Sequence, residues 1–329
     1  MKLSTLLLSS AALVVAGSAY AADLPAKKGA PAAKAATGCP AFGAGFFQIP
    51  GGDTCIKFSG YMRSQTEYSS VDKAASTAGS ARVEFDARSN TELGALKGYT
   101  RVDLGSAASS DRAYVSVAGL TAGKYGALTD IAGTGGAQAG ALGGDSGTGL
   151  SYALPLGSFT VTGAVQNPST TGDGTDNQDL LVGVSTKAAG ADITVYGATH
   201  SNDAGAGYAY VASASFTAGV ATVGVFGGTS HGAISYTGTT TNFTADSDGT
   251  TMTDGSVVGV RASVAAGNGY VFADYYSVSA TDGTDTDNET AYEVGTRQTI
   301  AKGLYVQPSI YHAETSGENI FTLRINRDF

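Results

Sequence analysis

The last eleven residues, NIFTLRINRDF from Asn319 to Phe329, form an alternating strand: at odd positions Phe321, Leu323, Ile325 and Phe329 are apolar, while at even positions Thr322, Arg324, Asn326 and Asp328 are polar. Successive residues of a strand point to opposite faces, so this segment has one greasy and one wet side. A two-faced strand that closes on an aromatic residue at the C-terminus fits the final strand of an outer-membrane β-barrel, apolar toward lipid and polar toward a lumen. The same alternation runs through the chain. Its apolar residues come singly at every second position rather than in the continuous runs of a doubly wound parallel sheet.

The N-terminus predicts export. Lys2 supplies a positive start, Leu3 to Val15 an apolar core and Ala19-Tyr20-Ala21 a small-residue cleavage site, so residues 1–21 read as a secretory signal peptide. Beyond it no run approaches the ~18 to 20 apolar residues of a transmembrane helix. Residues 22–57 read as a periplasmic lead-in and 58–329 as the barrel. The lead-in begins Ala/Pro/Lys-rich and then contains Cys39 and Cys55, the only cysteines. An even pair in an oxidising compartment reads as a disulfide, because two cysteines are too few ligands for a metal site. Closing a loop of this length is worth roughly 3 kcal/mol in the chain-entropy account.

Composition bears on function mainly by exclusion. With 19 basic against 28 acidic residues, a nucleic-acid partner is not expected. The 47 glycines, 17 tyrosines and 14% charged residues suit many short strands joined by turns. With no Trp, Tyr and Phe must form any interfacial girdle. About sixteen strand-like segments follow Phe58, and their connections alternate short and long, as in barrels with periplasmic turns and extracellular loops. The expected fold is therefore an all-β transmembrane antiparallel barrel of about sixteen strands.

Parity assigns the faces. In ARVEFDAR (Ala81 to Arg88), Arg82, Glu84, Asp86 and Arg88 share one face, while Val83, Phe85 and Ala87 share the other. Arg or Lys facing lipid at mid-membrane costs ~2 to 4 kcal/mol each, so the charged face must be luminal. The same parity turns Arg63, Gln65, Glu67, Arg101, Asp103, Arg112, Tyr114 and Ser116 inward, with Asp274, Glu293, Arg297 and Arg324 on later strands. A barrel of this size encloses more space than side chains fill, so a channel is expected. The long third loop, 128–148, is rich in small residues and carries Asp130 and Asp145; folded into the lumen, it would face Arg63, Arg82, Arg88 and Arg101 across the pore. Such opposed charges sort solutes by size and charge.

CPAFGAGFFQIPGGDTCIKFSGYMR, from Cys39 to Arg63, closely resembles the N-terminal signature of the general porins of alphaproteobacteria, and RAYVSVAGLTAGK (Arg112 to Lys124) is similar to that family's paired strands before its constriction loop. Together with the aromatic C-terminus, the resemblance covers essentially the whole mature chain. It implies a sixteen-stranded homotrimeric outer-membrane channel whose third loop narrows the pore, passing ions and small hydrophilic solutes without a cofactor. The loop departs from the family in being poor in acidic and aromatic residues.

Enzymatic readings find little support. The three histidines, His200, His231 and His312, lack HExxH spacing, and no glycine run precedes a helix as a phosphate loop requires. The acidic stretches at 173–179, 246–248 and 282–289 lack the EF-hand order and read as solvated loops. Divalent bridging of these loops to lipopolysaccharide is a weaker expectation, which unchanged thermal stability in chelator would contradict. A substrate-specific sugar channel with Tyr114 as a stacking surface and a surface β-rich adhesin stand as alternatives.

Overall fold

The computed structural model describes residues 37–105, 108–126, 128, 146–167, 178–188, 190–202, 205–231, 254–281 and 286–329. A 3-10 turn at Pro40–Phe42 and a two-residue strand β1 (Phe47–Gln48) precede sixteen longer strands among these residues. They are β2 (Cys55–Ser69), β3 (Ala74–Thr91), β4 (Gly94–Leu104), β5 (Ala108–Val117), β6 (Leu120–Gly126), β7 (Ser146–Leu156), β8 (Phe159–Gln166) and β9 (Asp179–Ala188) in the first half. The second half comprises β10 (Ala191–Asn202), β11 (Gly205–Ala218), β12 (Ala221–His231), β13 (Asp254–Ala266), β14 (Gly269–Thr281), β15 (Thr286–Ala301), β16 (Leu304–Ala313) and β17 (Glu318–Asp328). Each pairs antiparallel with the next, and β17 returns to β2, so the sheet closes on itself.

Closure is made by the C-terminal strand. The register runs from Ile320↔Ser69 to Asp328↔Tyr61, and Phe329 exchanges both backbone hydrogen bonds with Gly60 (3.1 and 3.2 Å). Beyond the end of β17, the edge of β2 is taken up by β1, through Phe47↔Ile56 and Gln48↔Cys55. The Cys39–Cys55 disulfide ties that short strand to the wall and is buried with Phe46.

The connections sort by rim. At one end β3–β4, β5–β6, β7–β8, β9–β10, β11–β12, β13–β14 and β15–β16 are joined by two residues each. At Ala118-Gly119 both φ angles are positive (50° and 85°), the mirror-image turn whose twist matches a hairpin and for which Gly is the natural second residue. At the opposite rim β6 and β12 end, and β7 and β13 begin, separated in sequence by the longest connections, 127–145 and 232–253. β3 begins at Ala74, within a stretch of weak hydrophobic contrast, so β2 and β3 form a tall hairpin. Its Ser, Thr and Ala hold the ladder from Ser69↔Ala74 onward.

The wall is greasy outside, while its inner face is charged on β2 to β5 and mixes polar groups with apolar clusters on the later strands. On β9, Leu180, Val182 and Val184 stand exposed on the outer face, whereas Asp179 and Leu181 are buried inward. On β17, Phe321, Leu323 and Ile325 are exposed and Thr322 and Asn326 buried. A soluble domain buries its Val and Leu; exposing them all round makes sense only in a hydrocarbon solvent.

Several inward glycines accommodate an aromatic ring from the residue directly opposite. A Cβ on Gly259 would fall 2.1 Å from the Phe226 ring, and one on Gly295 2.6 Å from Phe272 and 2.7 Å from the Pro308 carbonyl oxygen. These are tongue-in-groove joints between neighbouring strands, Phe226↔Gly259 and Phe272↔Gly295. Gly295→Val should therefore lower the unfolding free energy by about 1–3 kcal/mol, the usual cost of overpacking. Gly79→Val, where nothing lies within 4 Å of the new Cβ, should change it little. Urea titration monitored by heat-modifiable migration distinguishes the two.

Candidate functional site

The candidate site is the inner wall of β2 to β5 together with its neighbour β17. Inward positions recur at every second residue, placing Tyr61, Arg63, Gln65 and Glu67 on β2, Arg82, Glu84, Asp86 and Arg88 on β3, Lys97, Tyr99, Arg101 and Asp103 on β4, and Arg112 and Tyr114 on β5. Register then aligns these into rows: Tyr61↔Arg82↔Asp103, Ser59↔Glu84↔Arg101↔Arg112, and Lys57↔Asp86↔Tyr99↔Tyr114.

Charges in these rows are paired. Arg82 grips Asp103 with both Nε (2.6 Å) and an NH2 nitrogen (3.0 Å), a fork-to-carboxylate geometry. Arg88 does the same to Asp86 two residues away (2.9 and 2.7 Å), and the Lys97 ammonium lies 3.6 Å from the same carboxylate. Arg101 and Arg112, directly opposite each other, share Asp111 between them, and Arg101 also lies 3.8 Å from Asp103.

Asp111 reaches that position through a β-bulge. The β4–β5 register steps from Arg101↔Arg112 to Val102↔Ser110, so Asp111 is an extra residue in the ladder. A bulge re-aims the side chain it inserts. Asp111 therefore sits on the inner face beside Arg112, although alternation would send it outward, and sequence parity misses it for this reason. Lys97 was within reach of the same rule as Arg101 and Asp103, two and three positions further along the inward series.

Aromatic faces hold the cations in place. Tyr61 has the Arg63 guanidinium 4.4 Å and the Arg82 guanidinium 5.2 Å from its ring centre. Lys97 lies 4.6 Å from the Tyr99 ring and donates a 2.9 Å hydrogen bond to the Tyr114 hydroxyl, and the two tyrosine rings are 5.1 Å apart. Near the short-turn rim, Arg88 lies 4.9 Å from the Phe46 ring of the disulfide-closed segment. Each contact contributes of order 0.5–2 kcal/mol and, more to the point, removes side-chain freedom.

Of the remaining site residues expected from sequence, Arg324 is inward on β17 and donates to Gln65 (2.7 Å). Asp130 and Asp145 lie outside the described residues. Leu128, two residues past β6, has left the wall and packs on the inward-facing Ala164, Leu181, Ala198 and Ala209. Later strands bring further acids inward, Asp274 and Glu293, paired in register with each other and with Arg261. Among the described residues no group of His, Cys, Asp and Glu is arranged to hold a metal.

Asp111→Asn would leave Arg101 and Arg112 opposed with no acid wedged between them. The expected outcome is a loss of about 1–3 kcal/mol in urea unfolding, since removing one member of a mostly desolvated ion pair leaves the others uncompensated. Arg112→Gln in the same background should recover part of that loss.

Comparison with known proteins agrees with this geometry. The family profile described as a porin subfamily matches residues 28–322. Porin Omp2a of Brucella ovis is 38% identical over 109 residues, which is 31% of this chain and 32% of that protein, so the match spans about a third of the relative's length. Among solved structures, the outer membrane channel DcaP of Acinetobacter baumannii superimposes with a TM-score of 0.72 at 13% identity, covering 86% of this chain and 99% of that one. The trimer form of Vibrio cholerae OmpT gives 0.63 at 14% identity, covering 84% and 100%. A closed sixteen-stranded barrel with an apolar exterior, a charged inner wall and a family match across nearly its whole length belongs to the porin subfamily, whose place is the bacterial outer membrane.

Proposed function

We propose that the protein is a water-filled diffusion channel for ions and small hydrophilic solutes, working as a homotrimer and without a chemical step. The observation that carries this reading is the wall itself: Arg, Lys, Asp and Glu on the inner face of a closed barrel that is apolar outside. Charges cost too much in an apolar interior to be placed there unless water reaches them. Arg63, Arg82, Glu84, Asp86, Arg88, Arg101, Asp103 and Arg324 then line the path. Fixed by carboxylate forks and aromatic faces, they present a static field instead of a mobile brush.

The third loop completes the pore in this reading. Leu128 on the inner-wall cluster is the foothold from which the segment to 148 would cross the lumen and bring Asp130 and Asp145 toward the arginines. Homotrimerisation is supported by Vibrio cholerae OmpT, solved in a trimer form on the same fold. Residues 1–21 act as the export signal and 22–57 as the periplasmic lead-in that the disulfide closes. The outer face contacts lipid and lipopolysaccharide.

Purified protein in a planar bilayer should give large ohmic steps in groups of three. Folded, inserted protein that gives no steps would overturn the channel reading. A saccharide-selective version is favoured by one observation, the paired Tyr99 and Tyr114 rings on the wall. Saturable block of the current by a di- or trisaccharide, lost in Tyr114→Ala, would establish it; a linear, unblocked current supports general diffusion.

A further inference from the structure

Resting on that channel reading, we propose that the seam where β17 meets β2 is the lumen's oxyanion-recognition step, and that Asn326 makes it so by standing between Arg63 and Asp328. Arg63 donates from Nε to Asn326 Oδ1 (3.2 Å), and Asn326 donates from Nδ2 to Asp328 Oδ1 (2.5 Å). The amide orientation is forced. Turned over, it would set its NH2 against a guanidinium and its oxygen against a carboxylate. Asn326 is only 1% exposed, so neither of these bonds is open to exchange with bulk water.

The consequence is electrostatic. Arg82 and Arg88 are each gripped by a carboxylate in a two-point fork, which reduces their distant field to that of a dipole. Arg63 makes no ion pair among the described residues. Its counter-charge is one amide further away, and Arg297 also draws on that carboxylate at 3.6 Å. The Tyr61 ring holds the Arg63 guanidinium at 4.4 Å, and only Nε is committed to a hydrogen bond among the described residues. The NH2 groups of a fork so held suit the paired oxygens of a carboxylate or phosphate. One row along the seam, Arg324 also donates to an amide, Gln65 Oε1 (2.7 Å), and the Gln65 amide donates to Glu67. At Arg63 an amide thus spaces a seam arginine from its acid, while Arg82 and Arg88 on the neighbouring strand meet acids directly.

Asn326→Asp tests this with an isosteric change, converting the spacer into a direct partner for Arg63 without removing the arginine. In bilayers under a potassium chloride gradient, both Asn326→Asp and Arg63→Gln should lower the chloride-to-potassium permeability ratio roughly twofold or more, since a charge fixed in the lumen sets the local concentration of ions of opposite sign. Both should weaken block of the chloride current by inorganic phosphate. Asp103→Asn, which releases Arg82 from its fork, should move the ratio the opposite way. Conducting channels in which Asn326→Asp and Arg63→Gln leave ratio and block unchanged would overturn the proposal. If Asn326→Asp fails to insert, Arg63→Gln and Asp103→Asn decide it. A wild-type barrel that folds but never conducts would sink the channel reading itself, a distinct outcome.

Discussion

A strand in hydrocarbon has no water to satisfy its backbone, so each N–H and C=O must find a partner in the sheet, and a sheet with a free edge cannot stay in lipid. Everything else here depends on the β17–β2 ladder that removes that edge. It explains why the C-terminal residue is tied by two backbone bonds to Gly60. It also accounts for β1: where β17 ends, Phe47 and Gln48 continue the pairing, and the disulfide holds them to Cys55. The extreme residues of the barrel, elsewhere the least ordered part of a chain, are here the closure itself.

Closure also fixes the inner wall, because register across the seam decides which inward side chains become neighbours. Arg63 meets Asn326, and Arg324 meets Gln65, only because β17 and β2 align Asn326↔Arg63 and Arg324↔Gln65. A slip of one residue would invert every face of both strands. Within β3 to β5 the same logic yields an interlocked set of arginines and carboxylates, and the bulge at Asp111 supplies the acid that alternation would have lost. The inner wall therefore combines charges that neutralise one another with charges held slightly apart, and the distinction rests on single atoms of amide or carboxylate.

Much of this was legible in the sequence, because period-two alternation is a strong signal wherever one side of a strand is lipid and the other is polar. Sixteen segments, their order and the inward face of Arg63, Arg82, Glu84, Asp86, Arg88, Arg101, Asp103 and Arg324 follow from it without long-range information. Boundaries were less readable. The Ser/Thr/Ala-rich start of β3 looks like loop because its hydrophobic contrast is weak, and only the partner strand makes it a ladder. Asp111 was unreadable, since a bulge breaks the parity on which the reading depends. The amide spacer was unreadable too: nothing local distinguishes Asn326 from any polar inward residue until β2 is placed beside it.

Reactivity of single cysteines along β2 tests the central claim, a wall wet on one face and greasy on the other, most directly. Cys39 and Cys55 are joined, so the background holds no free thiol. Cysteines introduced one at a time at Met62, Arg63, Ser64 and Gln65 should alternate in a liposome-inserted barrel: positions 63 and 65 modified by a charged, membrane-impermeant thiol reagent, 62 and 64 only by a lipid-soluble one. Uniform reactivity along the strand, or the opposite parity, would contradict the account.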